Sequence, residues 1–147
     1  MNLEATGRPP RLRLYIDTSA YLCILLGEEG SERLSKETEA AELVSSVLLV
    51  LEAKRNLIRL AREGTLRANR YKTTINRLEQ DVPRFVLRDL TLELCQSITV
   101  PAVTTPRTLD LAHLRTALWF HAAQKIDRFV TMDTTQEQAA KELGLPV

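Results

Sequence analysis

The 147-residue sequence is short of aromatics, cysteine and glycine, and each shortage excludes something. One Trp, three Tyr and three Phe are too few for a surface that stacks bases along a long single strand. Two cysteines, Cys23 and Cys95, make neither a disulfide framework nor a metal site by themselves. Their apolar neighbours point to buried free thiols and a reducing compartment. Five Gly and six Pro exclude a collagen-like or low-complexity chain. No apolar stretch is long enough to span a bilayer; the longest, Leu43 to Leu51, is interrupted by Ser45 and Ser46. The first ten residues carry no apolar signal core. A formal net charge of +1 excludes a polycation that coats nucleic acid. The expectation is a cytoplasmic protein with no membrane segment.

What is present fits one globular domain. Hydrophobic residues make up 44% and charged residues 27%, an ordinary balance for a chain that buries roughly two-thirds of its extended surface. Residues 1–11 read as a flexible leader, because Gly7, Pro9 and Pro10 oppose regular structure, and 12–147 as a single domain. Short strands are expected at 12–16, 43–46, 85–90 and 129–132, with an edge strand at 144–147. Helical patterns lie between them, at 18–26, 28–42, from about 47 to 64, 65–82, 91–97, 108–125 and 134–143. Residues 100–106, with two prolines and three threonines, read as a loop. Strands alternating with helices predict an α/β fold with a mainly parallel sheet.

Four acids fall where such a sheet gathers its ligands. Asp17 follows the first strand and Asp133 the last, beyond the carboxyl ends where open α/β sheets bind. Glu52 lies one to two turns into the helix after the second strand, and Asp110 in the first turn of the long helix. Clustered carboxylates repel unless a cation sits among them or some take up protons. Mg²⁺ or Mn²⁺ suits an all-oxygen site, and the chemistry that follows is phosphodiester hydrolysis by activated water. No Ser-His or Cys-His pattern suggests a covalent nucleophile. Each acid also has a plain structural reading. Asp17 and Asp133 stand at N-cap positions, and Gln136 gives Asp133 the spacing of a capping box. Asp110 complements its helix dipole, and Glu52 has Arg55 and Asn56 as neighbours for pairing.

The words around the acids are more specific than their spacing. Tyr15-Ile-Asp17-Thr-Ser-Ala20, Ser46-Val-Leu-Leu-Val-Leu-Glu52-Ala-Lys-Arg-Asn-Leu57, Thr108-Leu-Asp110-Leu-Ala-His113 and Phe129-Val-Thr-Met-Asp133 resemble, in order, the four motifs of the PIN-domain family. Order, spacing and length together resemble the VapC-type toxins of toxin–antitoxin pairs, over roughly residues 12 to 147. The resemblance implies a three-layer α/β/α sandwich and a metal-dependent endoribonuclease. It makes Asp17, Glu52, Asp110 and Asp133 the catalytic, metal-holding acids. Ser19 then hydrogen-bonds within the site or holds a water of the metal. His113 matches a position that is often His in the family, and is read as packing beside Asp110 without proton transfer. Arg115 departs from the pattern, which usually has a small residue there. Five residues after Asp110 it falls about 140° round the helix, facing a partner or solvent. The resemblance also implies an RNA substrate, a cognate antitoxin that covers the acids, and a homodimer.

The small net charge conceals an asymmetry. Residues 28–42 are mostly acidic, whereas residues 53–88 hold ten basic side chains against three acidic ones. Arg55 and Arg59 share a helix face with Glu52 and are candidates to draw an RNA backbone toward the acids. Tyr21, Leu22, Ile24, Leu25 and Leu34 form either an apolar groove for a partner helix or part of the core. The competing reading is a catalytically silent PIN-like module that binds RNA or protein. A phosphatase with Asp17 as nucleophile is disfavoured, since the second Asp such enzymes use two residues on is Ser19 here.

Overall fold

The computed structural model describes residues 11–96, 103–104 and 107–147. Apart from Arg11, the expected leader lies outside the described residues, as does most of the loop expected at 100–106. The chain is a three-layer α/β/α sandwich. Its elements are β1 (Arg13–Ile16), α1 (Thr18–Leu26), α2 (Ser31–Glu39), β2 (Glu42–Ser46), α3 (Leu48–Arg62), α4 (Ala68–Asp81), a 3-10 turn (Val82–Arg84), β3 (Phe85–Arg88), α5 (Leu92–Gln96), α6 (Thr108–Ala123), β4 (Arg128–Val130) and α7 (Thr134–Glu142). The strands pair in the order β3-β2-β1-β4, all parallel.

Every residue of β1 is buried, as a central strand covered on both faces requires. Its side chains alternate between two cores. Leu14 and Ile16, with Leu43 and Val130, pack under α1 to α4 against Leu25, Leu34, Leu57 and Leu78. Tyr15, with Val44 and Phe129, packs on the other face against Leu114, Ala117 and Phe120 of α6 and Ala139 and Ala140 of α7. The two crossovers leading to β2 and β3 therefore lie on one face, and the return to β4 on the other. Consequently α1 leaves β1 on one side of the sheet and α7 leaves β4 on the opposite side. The crevice between two adjacent parallel strands whose chains diverge this way is where α/β sheets hold ligands.

Local signals explain the element ends. Gly27 adopts φ 66° and its N–H bonds Cys23 and Ile24 carbonyls, closing α1. Gly30, at φ 89°, delays α2 to Ser31, so the helix expected from residue 28 is shorter. In α3 the stripe that meets the core is Leu49, Ala53 and Leu57, at i, i+4 and i+8. Leu51 and Ile58, also apolar, lie on other faces and are exposed. The apolar run there is long enough to offer two faces, and packing selects one.

Two expectations are corrected and one open alternative is decided. Residues 144–147 form no strand; the segment turns back after α7, buries Leu145 and accepts one bond from Phe129 N at Pro146 O (2.7 Å). Cys23 is a buried free thiol, but Cys95 is exposed, because α5 has five residues and buries only Leu94. Tyr21, Leu25 and Leu34 are core, with Leu22 and Ile24 packed against them, so they form no open groove. Tyr21 Oη additionally ties α1 to α4 through Asp81 Oδ2 at 2.8 Å. Among the described residues, no helix is long and apolar enough to cross a membrane.

Candidate active site

Asp17 ends β1 and begins α1. Its backbone is extended (φ −80°, ψ 171°), and Oδ1 accepts from Ala20 N at 3.0 Å, a side-chain N-cap. Ser19 Oγ donates to the same oxygen at 2.7 Å. Ser19 Oγ also accepts from Met132 N (2.9 Å) and meets Thr131 Oγ1 (3.1 Å), which itself accepts from Asp133 N at 3.1 Å. Ser19 thus stitches the carboxyl end of β1 to the residues just past β4.

Asp133 caps α7 through Oδ1, which accepts from Thr135 N (2.8 Å) and Gln136 N (3.3 Å). The capping box suggested by Gln136 does not close. The Gln136 side chain is buried and donates instead from Nε2 to the Asp110 carbonyl at 2.9 Å, fixing the first turn of α6 to the start of α7. One run of hydrogen bonds therefore links the segments of Asp17, Asp133 and Asp110 through Ser19, Thr131 and Gln136. Thr131 and Gln136 carried no signal in the sequence beyond their nearness to Asp133, because their bonds depend on the parallel pairing of β1 with β4.

The three aspartates share one electrostatic field. Burial raises the Asp17 pKa above the ordinary aspartate range, and hydrogen bonds from Thr131 and Ser19 only partly offset it. Asp110 is raised by burial and then by the charges of Asp133 and Asp17, against the opposing charge of Arg107.

Glu52 is held apart from this run. Its Oε1 accepts from Thr18 Oγ1 at 2.9 Å and lies 2.8 Å from His113 Nε2, while Asn56 Nδ2 bonds its backbone carbonyl at 2.9 Å. Burial works against its charge, yet the hydrogen bonds from His113 and Thr18 lower its pKa on balance. Its carboxylate thus engages His113 and Thr18, not the Arg55 or Asn56 side chains. His113 is buried and reaches across to α3, rather than simply packing beside Asp110.

No family model matches the chain, and no curated protein does. Among solved structures it is similar to the crystal structure of PAE2754 from Pyrobaculum aerophilum, at 15% identity and a TM-score of 0.48, over 86% of this chain and 85% of that one.

The donor set suits a hard cation. It is all oxygen, and the charges of Asp133 and Asp17 raise the cost of ionising Asp110, which a divalent ion would relieve. Among the described residues no three His, Cys, Asp or Glu side chains stand ready at ligating geometry. That is compatible with an ion such as Mg²⁺, which keeps several waters and takes one or two carboxylates directly. Outside the cluster, Arg55 and Arg59 are exposed on α3, and Arg59 pairs with Glu63 at 3.1 Å. An exposed i,i+4 pair contributes only about 0.3–0.5 kcal/mol, so it leaves Arg59 available to a phosphate. Arg115 is half-buried rather than free in solvent, and among the described residues its Nη1 has no hydrogen-bond partner.

The carboxylates give the acid limb of stability a definite sign. Groups raised on folding, Asp17 and Asp110, oppose folding when ionised, so their contribution improves as pH falls through their folded pKa values toward the unfolded ones. Glu52, lowered on folding, stabilises above its unfolded value, and that stability is lost as pH falls through its folded pKa. In metal-free buffer, Tm should rise as pH falls from 7 toward the ordinary aspartate range and fall again below about 4. Scanning calorimetry against pH checks this; a steady fall from pH 7 downward would contradict it.

Proposed function

We propose that this chain is a metal-dependent endoribonuclease, a hydrolase of RNA phosphodiester bonds, acting in the cytoplasm as the toxin of a toxin–antitoxin pair. The reading is supported above all by the hydrogen-bonded run that gathers Asp17, Asp133 and Asp110 at the crevice between β1 and β4. The likeness of the four motifs to the PIN-domain pattern supports the RNA substrate, the toxin role, the antitoxin partner and the homodimer.

Asp17, Asp110 and Asp133 would hold Mg²⁺ or Mn²⁺, with Glu52 beside them. Such an ion supplies Lewis acidity at a phosphoryl oxygen and eases ionisation of the attacking water. The chain's own groups do the positioning. Ser19 fixes Asp17 Oδ1, and Gln136 keeps the first turn of α6 in place. Arg55 and Arg59, exposed on α3, draw in the negatively charged backbone. With seven aromatic residues in the chain, RNA shape and backbone carry more of the recognition than base stacking.

A second reading, a silent binding module, is favoured by one observation: Asp17 and Asp133 both serve as helix caps. Mn²⁺ calorimetry and RNA cleavage separate the two. The ribonuclease binds Mn²⁺ and cuts RNA in Mg²⁺ but not in chelator. Asp110→Asn should lower cleavage about a hundredfold or more, equivalent to roughly 3 kcal/mol of transition-state stabilisation. A wild-type protein that binds no Mn²⁺ and cuts nothing is the module.

A further inference from the structure

Glu52 is the acid that the run of hydrogen bonds leaves out, and its carboxylate is held by two side chains. Thr18 Oγ1 donates to its Oε1, and His113 Nε2 lies 2.8 Å from the same oxygen. His113 is 2% exposed, and its Nδ1 stands 2.8 Å from Tyr15 Oη. Tyr15 is fully buried on β1 and stacks on Phe129, with ring centroids 5.2 Å apart. For a neutral ring, counting hydrogens sets the roles. A carboxylate only accepts, so Nε2 carries the hydrogen that faces Glu52. In the neutral ring Nδ1 is then an acceptor, and Tyr15 Oη donates to it. Thr18 Oγ1, while donating to Glu52, turns a lone pair toward Nε2 at 3.1 Å.

The supports of Glu52 belong to the elements that carry two of the aspartates. Thr18 follows Asp17 directly, and His113 lies one turn after Asp110 on α6. We infer that His113 is a positioning residue for the site: as the Nε2–H tautomer, set by Tyr15, it occupies Glu52 Oε1 and leaves Oε2 as the oxygen that Glu52 offers to a cation. The consequence for metal rests on the endoribonuclease reading, whereas the tautomer and the hold on Glu52 do not. A carboxylate fixed in advance loses less freedom on binding an ion than one that must first be ordered, and partners that orient metal ligands typically change affinity about 10–100-fold.

Two amides that differ by one methylene test this. His113→Gln carries an N–H₂ group to the place of Nε2, whereas His113→Asn reaches only the level of Nδ1 and stops short of Glu52. By calorimetry with Mn²⁺ alone, His113→Gln should stay within about threefold of wild type. His113→Asn should bind on the order of tenfold more weakly. Both should melt at lower temperatures, His113→Asn the lower of the two because it leaves the larger cavity. Equal weakening in the two variants reduces His113 to a packing residue, and no weakening in either removes it from the site; each result overturns the inference. Nitrogen NMR of the metal-free wild type should report Nε2–H with Nδ1 as acceptor, and Glu52→Gln should move the Nε2 resonance. The opposite tautomer also overturns it. If wild type binds no Mn²⁺ but shows the stated tautomer, the endoribonuclease reading is what fails. The metal-directed role falls with it, and the hold on Glu52 stands.

Discussion

Asp17→Asn is expected to abolish RNA cleavage while raising the melting temperature of the metal-free protein. The side chain is 4% exposed, and burial holds its pKa above the ordinary value. A carboxylate in that position opposes folding at neutral pH. Asparagine keeps an oxygen for Ala20 N and Ser19 Oγ, and it is as good an N-cap as aspartate. The substitution therefore sheds the buried charge and retains the geometry. Tm should rise on the order of 3 °C, with the gain shrinking as pH is lowered and the wild-type carboxylate takes up its proton. On the proposed ribonuclease reading, cleavage should fall by at least about a hundredfold, because the metal site would lose an anionic ligand. Stability and activity moving in opposite directions is the signature of a charge kept for function. A variant that loses stability, or that cuts RNA as well as wild type, refutes this account of Asp17.

Phe129→Ala should cost the most stability of any single change proposed here, about 3–5 kcal/mol out of a total that for such domains is roughly 5–15. Phe129 is buried in β4, the sheet's three-residue edge strand, and stacks on Tyr15 with the rings 6° from parallel. It fills the core between the sheet, α6 and α7. Truncating it opens a cavity beneath the strand that aligns Asp133 with Asp17. Urea titration should show the midpoint falling with little change in slope, and Tm falling by about 10 °C or more. Phe129→Leu should lose much less, since most of the volume remains. A loss below about 1 kcal/mol for the alanine variant would mean that this face is not packed as described.

Much of the layered fold was legible in the chain because its strongest signals are local. Asp17 and Gly27 bracket α1 and Asp133 opens α7, each by cap chemistry that needs no tertiary context. The alternation of Leu14, Tyr15 and Ile16 between two cores follows from a strand buried on both faces. What the chain did not display were choices made by packing. The apolar run of α3 offered more than one face, and burial took Leu49, Ala53 and Leu57 while leaving Leu51 and Ile58 outside. Cys95 has apolar neighbours, but a five-residue helix buries one side chain only. At the site, the positions of the aspartates followed from their places after strands and at a helix start. The partners did not. Gln136 matched a capping box and instead reached α6, and Glu52 turned to His113, 61 residues further along the chain. Such contacts exist only once the sheet order is known.

That sheet order also sets when the site can exist during synthesis. β1 pairs with β2 early in the chain, but its other neighbour, β4, is more than a hundred residues downstream; Arg13 N meets Asp127 at a separation of 114. At typical translation rates of about 5–20 residues per second, those residues take roughly 6–23 s to make. Throughout that interval Asp17 has emerged without Asp133, Ser19 has no Met132 N–H to accept, and the crevice between β1 and β4 has only one wall. A ribosome-bound fragment ending before Arg128 should therefore be unable to cut RNA, however well its first three strands have assembled. The order of the strands acts as a timer: the proposed RNA-cutting site cannot form while the machinery is still producing the chain.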